Sequence, residues 1–247
     1  MVRPVMAPVV HFIIPLRAAG SCQNWDVVAT AFRGTMASLL NQSDPGWRAT
    51  VLCHDIPDES PEDPRIEMLQ VDLPVPTNRH GFLLDKQTKI KRGLAVFDAG
   101  DAAFCMMLDA DDRVHTDLVA HVRTAPHSIL LVDDGYVYAG GRLVRRHAGT
   151  FDRLCGSVVL FPRSLSARGI HPVLWPHFEV RQNAARHDCP VRNLPFPAVV
   201  KNVEYGGNLT QAHFLLGRTL RRTMRNISMM RRLGPQLRAT FALDTHP

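Results

Sequence analysis

A short apolar run in the middle of the chain stops abruptly at three carboxylates. The run FCMML (104–108) is followed by Asp109, Asp111 and Asp112, in an Asp-x-Asp-Asp pattern. An apolar run of this length is typical of a buried strand, so the three acids are predicted to emerge together at its carboxyl end. Open α/β sheets bind ligands at that edge. The pattern therefore predicts a ligand site beside these carboxylates.

Carboxylates grouped at a ligand-binding edge favour a divalent cation. Mg²⁺ and Mn²⁺ take carboxylate and water oxygens and keep positions open for phosphate oxygens. Asp109, Asp111 and Asp112 are therefore candidate ligands for Mn²⁺ or Mg²⁺ with a bound diphosphate. The same residues also suit a solvated turn before the helix expected near His115, because Asp is common in turns and at helix N-caps.

Apolar runs alternate with helical patterns along the rest of the chain. The runs VVHFIIPLR (9–17), ATVLCHDIPDE (49–59) and GSVVLFPR (156–163) are predicted strands, and helical patterns cover 25–42 and 85–97. Strands that alternate with helices predict an α/β fold with a mostly parallel, mixed central sheet. A chain of 247 residues can bury one sizeable core, so we expect a single domain of this type.

The order of these segments resembles GT-A glycosyltransferases, in particular the broad family 2 type. That pattern is a strand, a helix ending near SLLNQ (38–42 here), a strand ending in Asp, a basic helix and a strand ending in Asp-x-Asp. The resemblance covers about residues 9–200. It implies a Rossmann-like GT-A domain over 1–205, followed by a basic helical tail over 206–247.

The resemblance also implies where the nucleotide-sugar donor binds. The nucleoside would lie against the ends of the first two strands, where Asp55 would accept a hydrogen bond from the base. The metal, held by the Asp-x-Asp acids, would neutralise the charge that develops on the leaving diphosphate. The donor-binding residues implied in this way are Pro15, Leu16, Arg17, Asp55, Lys89, Asp109 and Ala110.

The acceptor side departs from the family pattern. Gly156 and Ser157 stand where the family frames its acceptor pocket. An inverting enzyme needs a base that takes the proton from the acceptor hydroxyl, and the family takes it from a Glu-Asp pair that this sequence lacks. Aligning the stretch 175–197 from its end puts His177 or Glu179 at that position. A retaining enzyme, which would not need this base, stays open.

Positive charge is concentrated at the carboxyl-terminal end of the sequence. The net charge is +6, and residues 205–247 hold seven Arg and one acid, Asp244. A nucleic-acid-binding domain needs a basic face on its folded body, so nucleic acid is not an expected partner. No apolar stretch approaches the ~20 residues of a transmembrane helix. Five cysteines without a C-x-x-C pair indicate buried thiols in a reducing compartment, so we expect a cytoplasmic protein.

The tail has the pattern of a basic amphipathic helix. Apolar residues recur every three or four positions over 216–230, and arginines occupy the opposite side. Such a helix suits peripheral contact with an anionic membrane at its inner face. It suits equally well packing on the domain or on a second subunit, which would give a homodimer. The apolar positions are Leu216, Leu220, Met224, Ile227 and Met230.

These patterns together predict a metal-dependent glycosyltransferase. It would move a hexose from a UDP- or GDP-type donor to a carbohydrate or lipid-linked hydroxyl, in bacterial polysaccharide biosynthesis. One alternative is a sugar-nucleotide nucleotidyltransferase, although RAAGS (17–21) matches only part of the Gly-rich phosphate loop of such enzymes. Another alternative is a non-catalytic protein that binds a nucleotide sugar or scaffolds a polysaccharide complex.

Overall fold

A computed structural model of the chain describes residues 9–138, 143–203 and 230–243. Within these ranges the strands form a seven-stranded and a five-stranded sheet. The seven-stranded sheet contains β1 (Val10–Pro15), β2 (Trp47–Cys53), β3 (Ile66–Gln70), β4 (Phe104–Met107), β6 (Ile129–Leu131), β9 (Val159–Pro162) and β10 (Val191–Asn193). The five-stranded sheet contains β5 (Arg113–Val114), β7 (Asp134–Tyr138), β8 (Leu143–Ala148), β11 (Val199–Asn202) and β12 (Met230–Arg232).

The larger sheet is the central element of the core. Its strand order is β10-β6-β9-β4-β1-β2-β3, and only β9 runs antiparallel to its neighbours among the described pairs. Phe12, Ile13 and Ile14 of β1 are fully buried, as are Cys105 and Met106 of β4. Burial on both faces explains why these strands are continuous apolar runs rather than alternating ones. The predicted mixed α/β architecture is confirmed.

Two long helices position the amino-terminal half against this sheet. Each begins at an asparagine whose side chain accepts backbone N–H groups: Asn24 from Asp26, and Asn78 from Gly81 at 2.9 Å. In the second helix a Cβ at Gly93 would overlap Ile13 of β1, so this glycine lets the helix pack closely on the sheet. No described helix is long and apolar enough to cross a membrane. The helices are α1 (Trp25–Leu40), α2 (Arg79–Ala99), α3 (Leu118–Arg123), α4 (Arg163–Ser166), α5 (Val180–Arg186) and α6 (Pro235–Thr240).

At three points the chain leaves a strand of the larger sheet and continues into a strand of the smaller sheet. β4 continues into β5, β6 into β7, and β10 into β11. The Asp-x-Asp-Asp segment lies in the first of these connections, between Met107 and Arg113. The three carboxylates are therefore held at the junction of the two sheets rather than on a freely projecting turn.

Residues 230–243 pack on the domain. β12 pairs antiparallel with β8, and Phe241 is 1% exposed in an apolar cluster with Tyr136 and Val200. The Thr116 N–H donates to the Thr240 carbonyl at 3.0 Å. Residues 230–243 of the predicted tail (206–247) thus form a strand of the smaller sheet and a short helix that follows it. The predicted amphipathic helix lies outside the described residues except for Met230, which begins β12.

We expect Phe241→Ala to destabilise the whole domain. Truncating a fully buried Phe costs about 3–5 kcal/mol, whereas the same change at Phe178, which is 60% exposed, stays within about 0.5 kcal/mol. Urea unfolding followed by circular dichroism measures both variants. If Phe241→Ala unfolds at the wild-type urea concentration, the carboxyl-terminal segment is not part of the cooperative core.

Candidate functional site

A cavity of about 400 Å³ opens at the carboxyl ends of β1 and β4, at the junction of the two sheets. Its walls also include side chains from α1 and α2 and from the segment before β9. The cavity brings together most of the site residues predicted from the sequence. Those that line it are Pro15, Leu16, Arg17, Asp109, Ala110, Asp111, Gly156 and His177.

Asp109 is held from two sides. Its backbone N–H donates to Ser157 Oγ at 2.8 Å, and its carboxylate forms an ion pair with Lys86 of α2. Burial alone would raise the pKa of this carboxyl, but the Lys86 ammonium outweighs burial and lowers it below its ordinary value. Asp109 is therefore a negative charge directed at the cavity. Gly156 lies against it, since a Cβ there would come within 2.9 Å of Asp109 Oδ2.

Asp111 also lines the cavity, but no described side chain is bonded to its carboxylate. Within 9–138, 143–203 and 230–243 its carboxylate has no hydrogen-bond or ion-pair partner. Burial, together with the neighbouring charges of Asp112 and Asp109, raises its pKa to about 8. A carboxyl in these surroundings is stabilised by a cation that approaches from the cavity.

Asp112 faces away from the cavity, which differs from its predicted place in a three-acid metal site. The residue is 2% exposed, and its carboxylate accepts from Ser157 Oγ at 2.7 Å, Cys155 Sγ at 3.1 Å and the Asn202 N–H at 3.3 Å. Burial and Asp109 raise its pKa to about 6. These bonds tie the connection after β4 to β11 and to the segment before β9. Ser157 is buried and is hydrogen-bonded to both the Asp109 N–H and the Asp112 carboxylate. Its side chain therefore has no exposed surface for the predicted contact with an acceptor.

Three of the residues predicted to bind the nucleoside lie at the end of β1. Pro15 and Leu16 line the cavity, and the Arg17 guanidinium lies over the Phe82 ring, 4.3 Å from its centroid. Asp55 is exposed, and its Oδ2 accepts the Ala19 N–H at 2.8 Å. Asp55 thus braces the loop after β1, and its predicted contact with a base stays a prediction.

Lys89 has a structural place instead of the predicted one near the phosphates. It is fully buried, and its Nζ donates to the Leu16 carbonyl at 2.7 Å and to Asp85 at 2.8 Å. Asp85 also bonds His54 Nε2 at 2.8 Å. The register of α2 turns Lys89 toward the end of β1, while Lys86 of the same helix reaches the cavity.

The structure separates the two predicted bases. His177 lines the cavity, and its Nδ1 lies 2.5 Å from the Asp152 carbonyl oxygen, which can only accept. Nδ1 therefore carries a proton, and in the neutral tautomer this leaves the lone pair on Nε2. Glu179 is not among the described residues of the cavity wall; its N–H and carbonyl are used in the local turn and in a bond from Asn183.

Sequence reasoning missed Lys201. This residue of β11 is 7% exposed, lines the cavity and donates to the Leu154 carbonyl at 2.9 Å. A signal was present in the sequence, because a lysine directly follows the apolar run AVV (198–200) of a buried strand. An ammonium at such a position has to be paired or directed at a site.

The residues present fit a divalent cation with two protein ligands rather than three. In the described part of the chain, no three His, Cys, Asp or Glu side chains are grouped closely enough to hold a metal ion. Asp109 and Asp111 nevertheless both face the cavity. Mg²⁺ is commonly held by one or two carboxylates, with substrate phosphates and water completing its shell.

Comparison with known proteins identifies the fold. No protein-family model and no curated protein matches the sequence. Among solved structures, S. aureus TarS 1-349 aligns at 12% identity with a TM-score of 0.51, over 78% of this chain and 60% of that one. A longer S. aureus TarS structure aligns at 11% identity with a TM-score of 0.53, over 78% of this chain and 36% of that one. The chain thus spans less than two thirds of these structures, and the likeness establishes the fold alone. The predicted GT-A-type fold is confirmed.

The two neighbouring acids should respond oppositely to the same substitution. Asp111→Ala removes a carboxylate whose raised pKa makes the folded state lose stability as the pH rises from about 4 to about 8. We therefore expect the variant to be more stable than wild type at pH 8 in EDTA, by on the order of 1 kcal/mol or more. Asp112→Ala leaves buried donors unsatisfied, which should cost about 1–3 kcal/mol. This loss is clearest at pH 5, because the pKa of Asp112 is raised to about 6 and the ionisation cost that its removal relieves is small there.

Urea unfolding of the Asp111→Ala and Asp112→Ala variants at pH 5 and pH 8 measures both effects. The gain from Asp111→Ala should be smaller at pH 5, where the wild-type carboxyl is protonated. Equal destabilisation by both substitutions would contradict the assignment of one acid to the cavity and the other to the core.

Proposed function

We propose that this chain is a glycosyltransferase that binds a nucleotide-diphosphate sugar in the cavity and transfers the sugar to an acceptor hydroxyl. The observation that carries the proposal is the pair Asp109 and Asp111, which face a cavity at the carboxyl ends of parallel strands in a GT-A-type fold. A volume of about 400 Å³ lies within the range of small-molecule sites.

The donor lies with its nucleoside toward the end of β1 and its diphosphate toward the acids. Pro15 offers apolar surface to the nucleoside, with the buried Leu16 beside it, and Arg17 over Phe82 closes the same wall. The diphosphate then reaches the part of the cavity where Lys86, Asp109 and Asp111 meet. UDP and GDP are the donor nucleotides that we propose, as the resemblance in the sequence implies.

Asp109 and Asp111 would hold Mn²⁺ or Mg²⁺. When bound, such a cation supplies Lewis-acid stabilisation of the negative charge on the leaving diphosphate. Asp112 has no part in this, because its oxygens are occupied by Ser157, Cys155 and Asn202. Its role is to fix the turn that presents the other two acids.

His177 acts as the general base of an inverting transfer. Its Nδ1–H is held by the Asp152 carbonyl, which fixes the ring and leaves the Nε2 lone pair free to accept a proton. As the acceptor oxygen attacks the anomeric carbon, its proton passes to Nε2 and the bond to the diphosphate breaks. His177, in the cavity wall, thus takes the place of the Glu-Asp pair that the sequence lacks.

The acceptor is a carbohydrate or a lipid-linked saccharide. Leu83 lines the cavity and is 45% exposed, and its neighbour Leu84 is 56% exposed. Exposed leucines beside the cavity support an acceptor with an apolar part, as in the assembly of bacterial polysaccharides on lipid carriers. Membrane contact or dimerisation through 216–230 remains a prediction, since that segment lies outside the described residues.

A thermal-shift panel of UDP, GDP, CDP and ADP, each with and without Mn²⁺, tests the function. A ligand present at 100 times its Kd stabilises the folded state by about 2.7 kcal/mol, so one nucleotide should raise Tm clearly above the others. Release of free sugar from the matching sugar nucleotide then separates an enzyme from a non-catalytic binding protein. Absence of a shift with every nucleotide, with and without Mn²⁺, would refute the proposal.

His177→Gln should abolish most of the transfer and leave donor binding intact. Loss of a general base typically lowers the rate by 10²–10⁴-fold, and Gln cannot take up the proton. Glu179→Gln is the matched control and should keep a rate within about twofold of wild type, because Glu179 does not line the cavity. Measurements of kcat and of the donor Kd in both variants test whether His177 is the base. Equal loss in both variants, or none at His177, would contradict the assignment of the base.

A further inference from the structure

We infer that Lys86 and Lys201 form a clamp that binds the diphosphate of the ligand directly, in addition to any cation held by the acids. The inference deepens the proposed function, since it assigns protein groups to the charged part of the donor. The two lysines come from different layers of the fold, Lys86 from α2 beside the larger sheet and Lys201 from β11 in the smaller one. Both line the same cavity.

The surroundings of Lys201 point to a ligand. Its side chain is more than nine-tenths buried, and one hydrogen bond, to the Leu154 carbonyl at 2.9 Å, is the bond its ammonium makes within the described ranges. An ammonium has three donors. A buried cation is costly unless its donors and charge are satisfied. The unsatisfied donors of Lys201 therefore favour an anion that enters the cavity.

A purely structural explanation of Lys201 fits the contacts less well. A buried lysine that served only to neutralise the acids would pair with Asp112, its buried neighbour. Asp112 instead accepts from Ser157, Cys155 and the Asn202 N–H, and no described carboxylate lies within ion-pair distance of Lys201. The charges of Asp112, Asp109 and Asp111 act on Lys201 without a direct salt bridge in the described part of the chain, so its ammonium stays available at the cavity.

Lys86 supplies the second positive charge and is open to a ligand. Its side chain is 39% exposed while it pairs with Asp109, and the neighbouring acids Asp111 and Asp112 also act on its ammonium. A lysine is a flexible point charge that can exchange a carboxylate for a phosphate oxygen. When the Lys86 ammonium moves from Asp109 to a phosphate, the Asp109 carboxylate becomes available to a cation.

The chemistry of the ligand follows from these charges. A diphosphate joined to a nucleoside and a sugar carries one negative charge on each phosphate, and two ammonium groups match that pair. Such binding works without a divalent cation, although a cation between Asp109 and Asp111 would strengthen it. Inorganic pyrophosphate is the simplest probe, because it has the diphosphate without the nucleoside or the sugar.

Isothermal titration calorimetry with pyrophosphate, UDP and GDP, in EDTA and in Mn²⁺, tests the clamp. We expect wild type to bind pyrophosphate in EDTA, and Lys201→Met and Lys86→Met each to weaken binding about tenfold or more. Lys91→Met is the matched control, since Lys91 is an exposed lysine of the same helix, and it should bind like wild type. Lys201→Arg keeps the charge and should retain most of the affinity even if Lys201→Met folds poorly.

The outcomes separate this inference from the proposed function. No binding of pyrophosphate to wild type in EDTA, or unchanged affinity in folded Lys86→Met and Lys201→Met, overturns the clamp. If nucleoside diphosphates bind only with Mn²⁺ and the variants bind them equally well, the clamp fails and the proposed function stands. If pyrophosphate binding depends on both lysines but no nucleotide binds, the clamp stands and the proposed function fails.

Discussion

Crowding of three carboxylates in one four-residue turn is the constraint on which the rest of the site depends. Like charges this close cannot all ionise without neighbours that compensate them. The fold gives each acid a different environment: Lys86 pairs with Asp109, neutral donors surround Asp112, and Asp111 is left facing the cavity. The two carboxyl groups of Asp109 and Asp111 at the cavity are what make a cation, and with it a diphosphate, the ligand that we propose.

The turn is held in place by parts of the chain that are far apart in sequence. Asp112 is bonded to the segment before β9 and to β11, and the next residue, Arg113, donates to the Ala242 carbonyl near the carboxyl terminus. Gly34 of α1 makes room for that guanidinium, since a Cβ there would collide with it. The carboxyl-terminal segment therefore stabilises the strand that directly follows the acids.

The sequence predicted the central strands well, because strands buried on both faces are continuous apolar runs. It also predicted that residues after β1 and β4 share one edge of the sheet, which is a consequence of parallel topology. It could not predict the direction of individual side chains in irregular segments. Asp112 and Lys89 turn inward and Lys201 turns toward the cavity because of contacts with elements 40 to 90 residues away, as with Asp112 and Asn202. The start of α2 at Arg79, before the predicted 85, depends on the Asn78 cap rather than on apolar periodicity.

A crystal structure of the chain with Mn²⁺ and UDP or GDP would test the central claim most directly. We expect an anomalous manganese peak in contact with Asp109 and Asp111, and the nucleotide diphosphate beside it within reach of Lys86 and Lys201. Manganese and nucleotide bound elsewhere on the molecule, or no density in the cavity at saturating ligand, would contradict it.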